Sequence, residues 1–323
     1  MFTLILALVA AVPLPCRLAR ADSAWLARAL DGWQAQNQRA LGVTIRQPAL
    51  VLFDAKCVHR LTPVVDRVAP ARFIAAKQPF AVRSSAHQGR VRLPDGAMIP
   101  AGLTSFAGPL PAGRMFFVMS LPSVWRARDL DPGGGDKLAT AVFLHEYTHT
   151  QSPALGTLVD SLTRRGLPAD VNDDVIQQRF GARPDFRTSY EAERDLLFEA
   201  AADPSDSQAR ALAARALERI DQRRARTFVG ADSIYAELED VFLTMEGLGQ
   251  WVAYRWLTDG AGGAMAAPDA LSFIRRGGRH WSQDEGFALL LITTRLSPSS
   301  PRAMLATPPV TVLRALRRSL TSR

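Results

Sequence analysis

The sequence predicts an α+β fold, and three observations carry that prediction. Residues 43 to 122 hold short apolar or alternating runs broken by Pro, Gly and Asp, the punctuation of strands and turns. From Asp131 onward the apolar residues recur at helical spacing instead. At 323 residues, with 47 % hydrophobic and 22 % charged side chains, the chain can bury a substantial core and has the balance of a soluble globular protein. Collagen, a coiled-coil rod and wholesale disorder are excluded, and no internal repeat of solenoid period is present.

Phe2 to Pro15 (FTLILALVAAVPLP) forms an apolar run, and Ala19-Arg20-Ala21 offers an A-x-A cleavage site before Asp22. The run is too short to span a bilayer comfortably. Residues 1–21 are therefore expected to be a cleaved export signal. The mature chain would be periplasmic or secreted, with no stable membrane insertion. Cleavage there would remove Cys16 and leave Cys57 without an intramolecular partner, as a small core hydrophobe in LVLFDAKCVHRL.

Residues 22–130 are expected to form an N-terminal helix and a strand-rich subdomain. The helix, Ser23 to Leu41, places Trp25, Leu26, Leu30, Trp33 and Leu41 on a helical repeat. PALVLFDAKCV, RFIAA, RVRLPDG and RMFFVMSLP follow as strands, and GPLPAG (Gly108 to Gly113) reads as a loop between two of them. Residues 131–323 form the mainly helical part, making one unit with the preceding sheet. DPGGGD is a turn in which Asp136 can cap the next helix, and Pro153 closes that helix. Residues 188–227 predict one or two long helices interrupted near Asp203-Pro204. Ser233 to Leu257 predicts another, with Ile234, Leu238, Val241, Met245, Leu248 and Val252 in register.

The formal charge is +8, and nearly all of the basic residues are arginine. Basic runs such as Arg223-Arg224-Ala225-Arg226 and the tail LRALRRSLTSR read as solvated helix faces with weak attraction to anionic surfaces. No nucleic-acid-reading module accompanies them, so no nucleic-acid partner is expected.

The stretch TAVFLHEYTHTQSP, Thr140 to Pro153, carries H-E-x-x-H. On a helix, positions four apart share a face, so His145 and His149 can present two imidazole nitrogens to one metal ion. Glu146 lies about 100° around the helix, beside the ion, where a carboxylate can take a proton from an activated water. A zinc site needs at least one further ligand, and three downstream acids compete for that place. Glu246, in LEDVFLTMEGLGQWVAY, is followed by Gly247 and Gly249; helical glycine costs ~1 kcal/mol against alanine, which close approach of another helix would offset. Glu191 has Asp195 one turn on, a possible partner for a histidine N–H. Glu285 lies in WSQDEGFALLL. Glu246 ranks first.

HEYTH with a distant glutamate on a second helix resembles the gluzincin branch of zinc metallopeptidases. EGLGQW, Glu246 to Trp251, is similar to the E-G-F-A-x-Y segment whose glutamate is the third zinc ligand in gluzincin aminopeptidases. DEGFAL at Asp284 also resembles it, with Leu290 in place of the aromatic residue, and Glu191 with Asp195 resembles the E-x-x-x-D element of a membrane-associated group. Only these short segments carry the resemblance. Glu246 stands 97 residues beyond His149, farther than in the aminopeptidases, and no G-x-M-E-N-type segment lies upstream. The resemblance implies a Zn2+ cofactor held by His145, His149 and Glu246, Glu146 as general base, and a peptide or protein substrate. It further implies a substrate strand along a sheet edge, for which Arg114 to Trp125 is the nearest strand-like run, and a second electrophile, for which Tyr254 and His280 are available. An exported zinc-dependent metallohydrolase of peptidase type is the expected function. The alternative is a metal-containing envelope binding protein without turnover.

Overall fold

The computed structural model describes residues 16–64, 73–75, 78–130, 136–168, 171–275 and 279–321. Helix α1 (Arg20–Gln36) buries the face that Trp25, Leu26, Ala29, Leu30 and Trp33 create by their spacing. Among the described residues eight strands follow: β1 (Ala49–Phe53), β2 (Cys57–Pro63), β3 (Phe73–Ala75), β4 (Gln78–Ala86), β5 (Arg90–Arg92), β6 (Met98–Pro100), β7 (Ser105–Leu110) and β8 (Arg114–Ser120). Six of them make a mixed sheet in the order β3-β4-β2-β1-β8-β7, while β5 and β6 pair as a separate hairpin. β1 and β8 run parallel, with Leu50 opposite Phe117, and the other pairs are antiparallel.

The central strands are buried on both faces. Leu50, Leu52, Phe117 and Met119 join the main core, whereas Val51, Phe53, Phe116 and Val118 pack in a smaller core with Val91 and Leu93. Double burial explains why LVLF and FFVM read as unbroken apolar runs. Two expectations for this region are corrected. Gly108, Pro109 and Leu110 belong to β7 rather than to a loop, and the turn is confined to Pro111–Gly113. A Cβ on Gly108 would lie 2.6 Å from the Phe116 ring on the paired residue of β8, so glycine here serves close packing. β8, moreover, is an interior strand between β1 and β7, so the free edge on that side of the sheet belongs to β7.

The chain then becomes helical: α2 (Pro122–Arg126), α3 (Lys137–His149), α4 (Pro153–Arg164), α5 (Val175–Phe180), α6 (Pro184–Ala202), α7 (Asp206–Thr227), α8 (Ile234–Thr258), α9 (Ala267–Arg275), α10 (Trp281–Leu296), α11 (Ser300–Met304) and α12 (Val312–Thr321). The break expected near Asp203-Pro204 separates α6 from α7, and Pro153, which cannot continue α3, becomes the first residue of α4. Asp136 precedes α3 but does not cap it: its backbone is left-handed, its side chain pairs with Arg126, and its carbonyl accepts from the Thr140 N–H and hydroxyl. Asp131 to Gly135 lie outside the described residues. No described helix is long and apolar enough to cross a membrane.

Two indoles fix α1 to α3. Trp25 Nε1 donates to Thr140 Oγ1 at 3.0 Å and Trp33 Nε1 to Thr148 Oγ1 at 3.1 Å. The two contacts have equal spacing on both helices, so α1 and α3 lie side by side in the same direction. The Trp25 ring also meets Phe143 edge-on.

Cys57 is not alone. It forms a disulfide with Cys16, just ahead of α1, and the expectation of an unpaired cysteine is thereby corrected. Residues 1–15 of the expected signal lie outside the described residues, and a boundary after Ala21 would cut the first turn of α1 and discard Cys16. The cross-link closes a loop over a separation of 41 residues, which on chain-entropy grounds stabilises the fold by about 4 kcal/mol. Protein recovered from an exporting host is expected to begin at or upstream of Cys16, and Cys57→Ser to lower thermal stability by several degrees. N-terminal sequencing that starts at Asp22 would contradict this.

Candidate metal centre

α3 is an almost wholly buried helix, and its HEYTH segment emerges at the wall of a cleft of about 700 Å³. One wall of the cleft is β7, another is α4, and α8 forms the floor through Phe242, Met245 and Glu246. His145 Nε2 lies 2.9 Å from His149 Nε2 and 3.0 Å from Glu246 Oε2, and His149 Nε2 lies 3.3 Å from Glu246 Oε1. The carboxylate thus turns one oxygen to each imidazole. Adjacent ligand atoms around a tetrahedral zinc, bound at ~2.0–2.1 Å, stand roughly 3.3 Å apart. The donor set and its separations therefore fit a metal of the zinc kind, and these three residues form a convergent group able to hold an ion.

The helix contact that makes this possible depends on glycine. A Cβ on Gly249 would fall 2.6 Å from His145 Nδ1, so only a bare Cα lets the imidazole lie against α8. Gly247 faces the other way, where a Cβ would meet the Gly286 carbonyl of α10 at 2.4 Å. The two glycines after Glu246 are thus two separate close approaches, one to α3 and one to α10.

Electrostatics reinforce the pairing. Burial disfavours charge on His149, but Glu246, with Glu146 and Asp173 behind it, outweighs burial and pushes its pKa up to about 9. Burial likewise opposes ionisation of Glu246, yet the two histidines hold it well below the usual carboxylate range. Asp173, in the loop before α5, is pushed up to about 7 by burial and by Glu246. His149 Nδ1 is buried and accepts or donates no hydrogen bond among the described residues.

Glu146 lines the same cleft, and Ser105 Oγ on β7 donates to its Oε1 at 3.1 Å, which orients the carboxylate. His280 also lines the cleft, with Nδ1 3.5 Å from Asp174 Oδ2. Tyr254 does not; it packs against Phe287. The other acids weighed as third ligand lie elsewhere. Glu191 is exposed, and Asp195 is exposed and paired with Arg194. Glu285 points into a buried ionic cluster around Arg223, whose guanidinium bonds Glu193 and Glu239 at 2.8 Å and stands 4.0 Å from Glu285. Burial pushes the Glu285 carboxyl well above its ordinary range despite Arg223. Ser105, Asp173 and Asp174 carry no motif, and only the fold brings them to HEYTH.

Compared with known proteins, the chain matches no family model, no curated protein and no solved structure.

Gly249→Ala is expected to push the His145 ring off Glu246 and weaken zinc affinity by about 100-fold or more, read by competition with a chromogenic chelator, with the fold retained by circular dichroism. Unchanged affinity would contradict the packing argument. With Glu246 raising the His149 pKa, zinc uptake at pH 7 should release about one proton per ion. Calorimetry in buffers of different ionisation enthalpy measures it. The raised His149 pKa also contributes stability to the metal-free fold that is fully present below about 6.5. This contribution is lost as pH rises through about 9, and so should be a matching fall in thermal midpoint, absent in His149→Ala.

Proposed function

We propose that the protein is an exported zinc-dependent peptidase in which His145, His149 and Glu246 hold the metal and Glu146 is the general base. The observation that carries this reading is the convergence of three ligand atoms beside a carboxylate, all in one open cleft next to a free strand edge. Zinc, when bound, supplies a Lewis acid that acidifies water and polarises a carbonyl. The chain's own residues do the rest.

Glu146, held by Ser105, receives the proton of the attacking water and can return it to the leaving amine. β7 receives the peptide. Ser120 N–H bonds the Thr104 carbonyl, which sets the ladder's alternation so that Ser105 and Ala107 direct their own N–H and C=O away from β8, toward the cleft. A substrate can add there as a further strand. His280, set by Asp174, is the side chain available to meet the developing oxyanion. The Cys16–Cys57 bridge supports export, since such bonds persist in oxidising compartments.

In the decisive comparison, wild type with stoichiometric zinc hydrolyses a broad set of quenched fluorescent peptides. Glu146→Gln keeps the zinc and loses at least 1000-fold in kcat/KM, while His149→Ala and Glu246→Ala lose the metal. Zinc retention with no hydrolysis by wild type would instead favour the non-catalytic binding protein.

A further inference from the structure

A second, smaller cavity opens off the cleft at Glu146. It measures about 180 Å³ and shares His145, Glu146 and Ser105 with the main cleft, so it adjoins the reacting groups directly. Its apolar walls come from Trp125 of α2, Ala141 and Val142 in the turn of α3 before His145, and Phe273 and Ile274 of α9. An apolar cavity of ~150 Å³ accommodates a benzene ring, so this one has the size for an aromatic side chain. Beside Ser105, His145 and Glu146, the polar lining is Gln250, His280 and Gln283. Gln250, one turn beyond Glu246 on the same face of α8, is buried and lines the cavity. Its Nε2 donates to Gln283 Oε1 at 2.7 Å, which fixes the amide.

Resting on the peptidase reading above, we infer that this cavity is a specificity pocket for an aromatic side chain next to the scissile bond, with tyrosine the preferred occupant. The ring fills the space between Trp125, Val142 and Ile274, and the phenol O–H donates to Gln250 Oε1, in the amide that Gln283 orients. Phenylalanine fills the same volume but leaves that acceptor unmet. Alanine leaves both the volume and the acceptor unused. Ala141 and Val142 make the pocket part of the metal helix itself, so side-chain recognition and the reacting groups share one rigid element.

The test uses three hydroxamates that differ only in side chain, 4-hydroxybenzyl, benzyl and methyl, titrated calorimetrically into zinc-loaded Glu146→Gln protein, so that turnover is not needed. Benzyl is expected to bind at least tenfold tighter than methyl, and 4-hydroxybenzyl roughly threefold to tenfold tighter than benzyl. Ala141→Leu, which narrows the cavity, should abolish the first difference while leaving the methyl compound unchanged. Ile274→Ala, a second and less crowding change, should reduce it. Gln250→Leu should abolish only the second difference. Equal binding of all three compounds overturns the pocket and leaves the metal site standing. A benzyl preference that survives Ala141→Leu and Ile274→Ala also overturns it. A 4-hydroxybenzyl compound no tighter than benzyl overturns the role of Gln250, and failure of every hydroxamate to bind the zinc-loaded protein overturns the pocket together with the peptidase reading, while the metal site stands.

Discussion

The contact between α3 and α8 at Gly249 is the constraint on which the site depends. Two histidines four apart can share an ion only if a third ligand reaches them, and a glutamate side chain is short. The helix backbones must therefore nearly touch, and a methyl group at position 249 would collide with His145. What compensates the ~1 kcal/mol cost of a helical glycine is electrostatic as well as steric: the buried carboxylate is held by two imidazoles. Each part requires the other. Without the glycine the ring cannot approach, and without the histidines an ionised carboxylate buried as deeply as Glu246 would be unstable.

Around this contact the molecule is held rigid from both sides. On one side the Trp25 and Trp33 indoles hold α3 against α1. On the other, Gly247 and Gly286 bring α10 against α8, and the Arg223 cluster ties α6, α7, α8 and α10 through Glu193, Glu239 and Glu285. A buried cluster of this kind adds little net stability over an apolar core, but removing one partner strands the others, so it penalises alternative packings. Precise placement of Glu246 matters more than extra stability here.

Much of the fold was legible because its signals are local. Periodicity located α1, α6, α7 and α8 to within a few residues, and unbroken apolar runs located the central strands. β4 and β7 were not legible: QPFAVRSSA lacks strict alternation, and SFAGPL is broken by the two residues that usually end a strand. Gly108 is there for the Phe116 ring, a reason visible only across the sheet. At the site, HEYTH and the glycine-flanked Glu246 could be named from spacing and cost, whereas the positions of Glu191, exposed, and Glu285, turned into the Arg223 cluster, follow from where their helices face. The pairing of Cys16 with Cys57 was hidden by an assumed leader boundary rather than by the residues themselves.

Pro109 gives β7 one more property. A strand with free donors and acceptors is a template for any other strand, including one from a neighbouring molecule. Proline offers no N–H at the next outward-facing position after Ala107, so the exposed ladder runs out after Ser105 and Ala107. A short peptide needs no more than that, but a second sheet trying to zip along the edge would lose its register of bonds at once. The same proline that makes the strand hard to see in the sequence lets an open edge exist in solution without becoming a seed for aggregation.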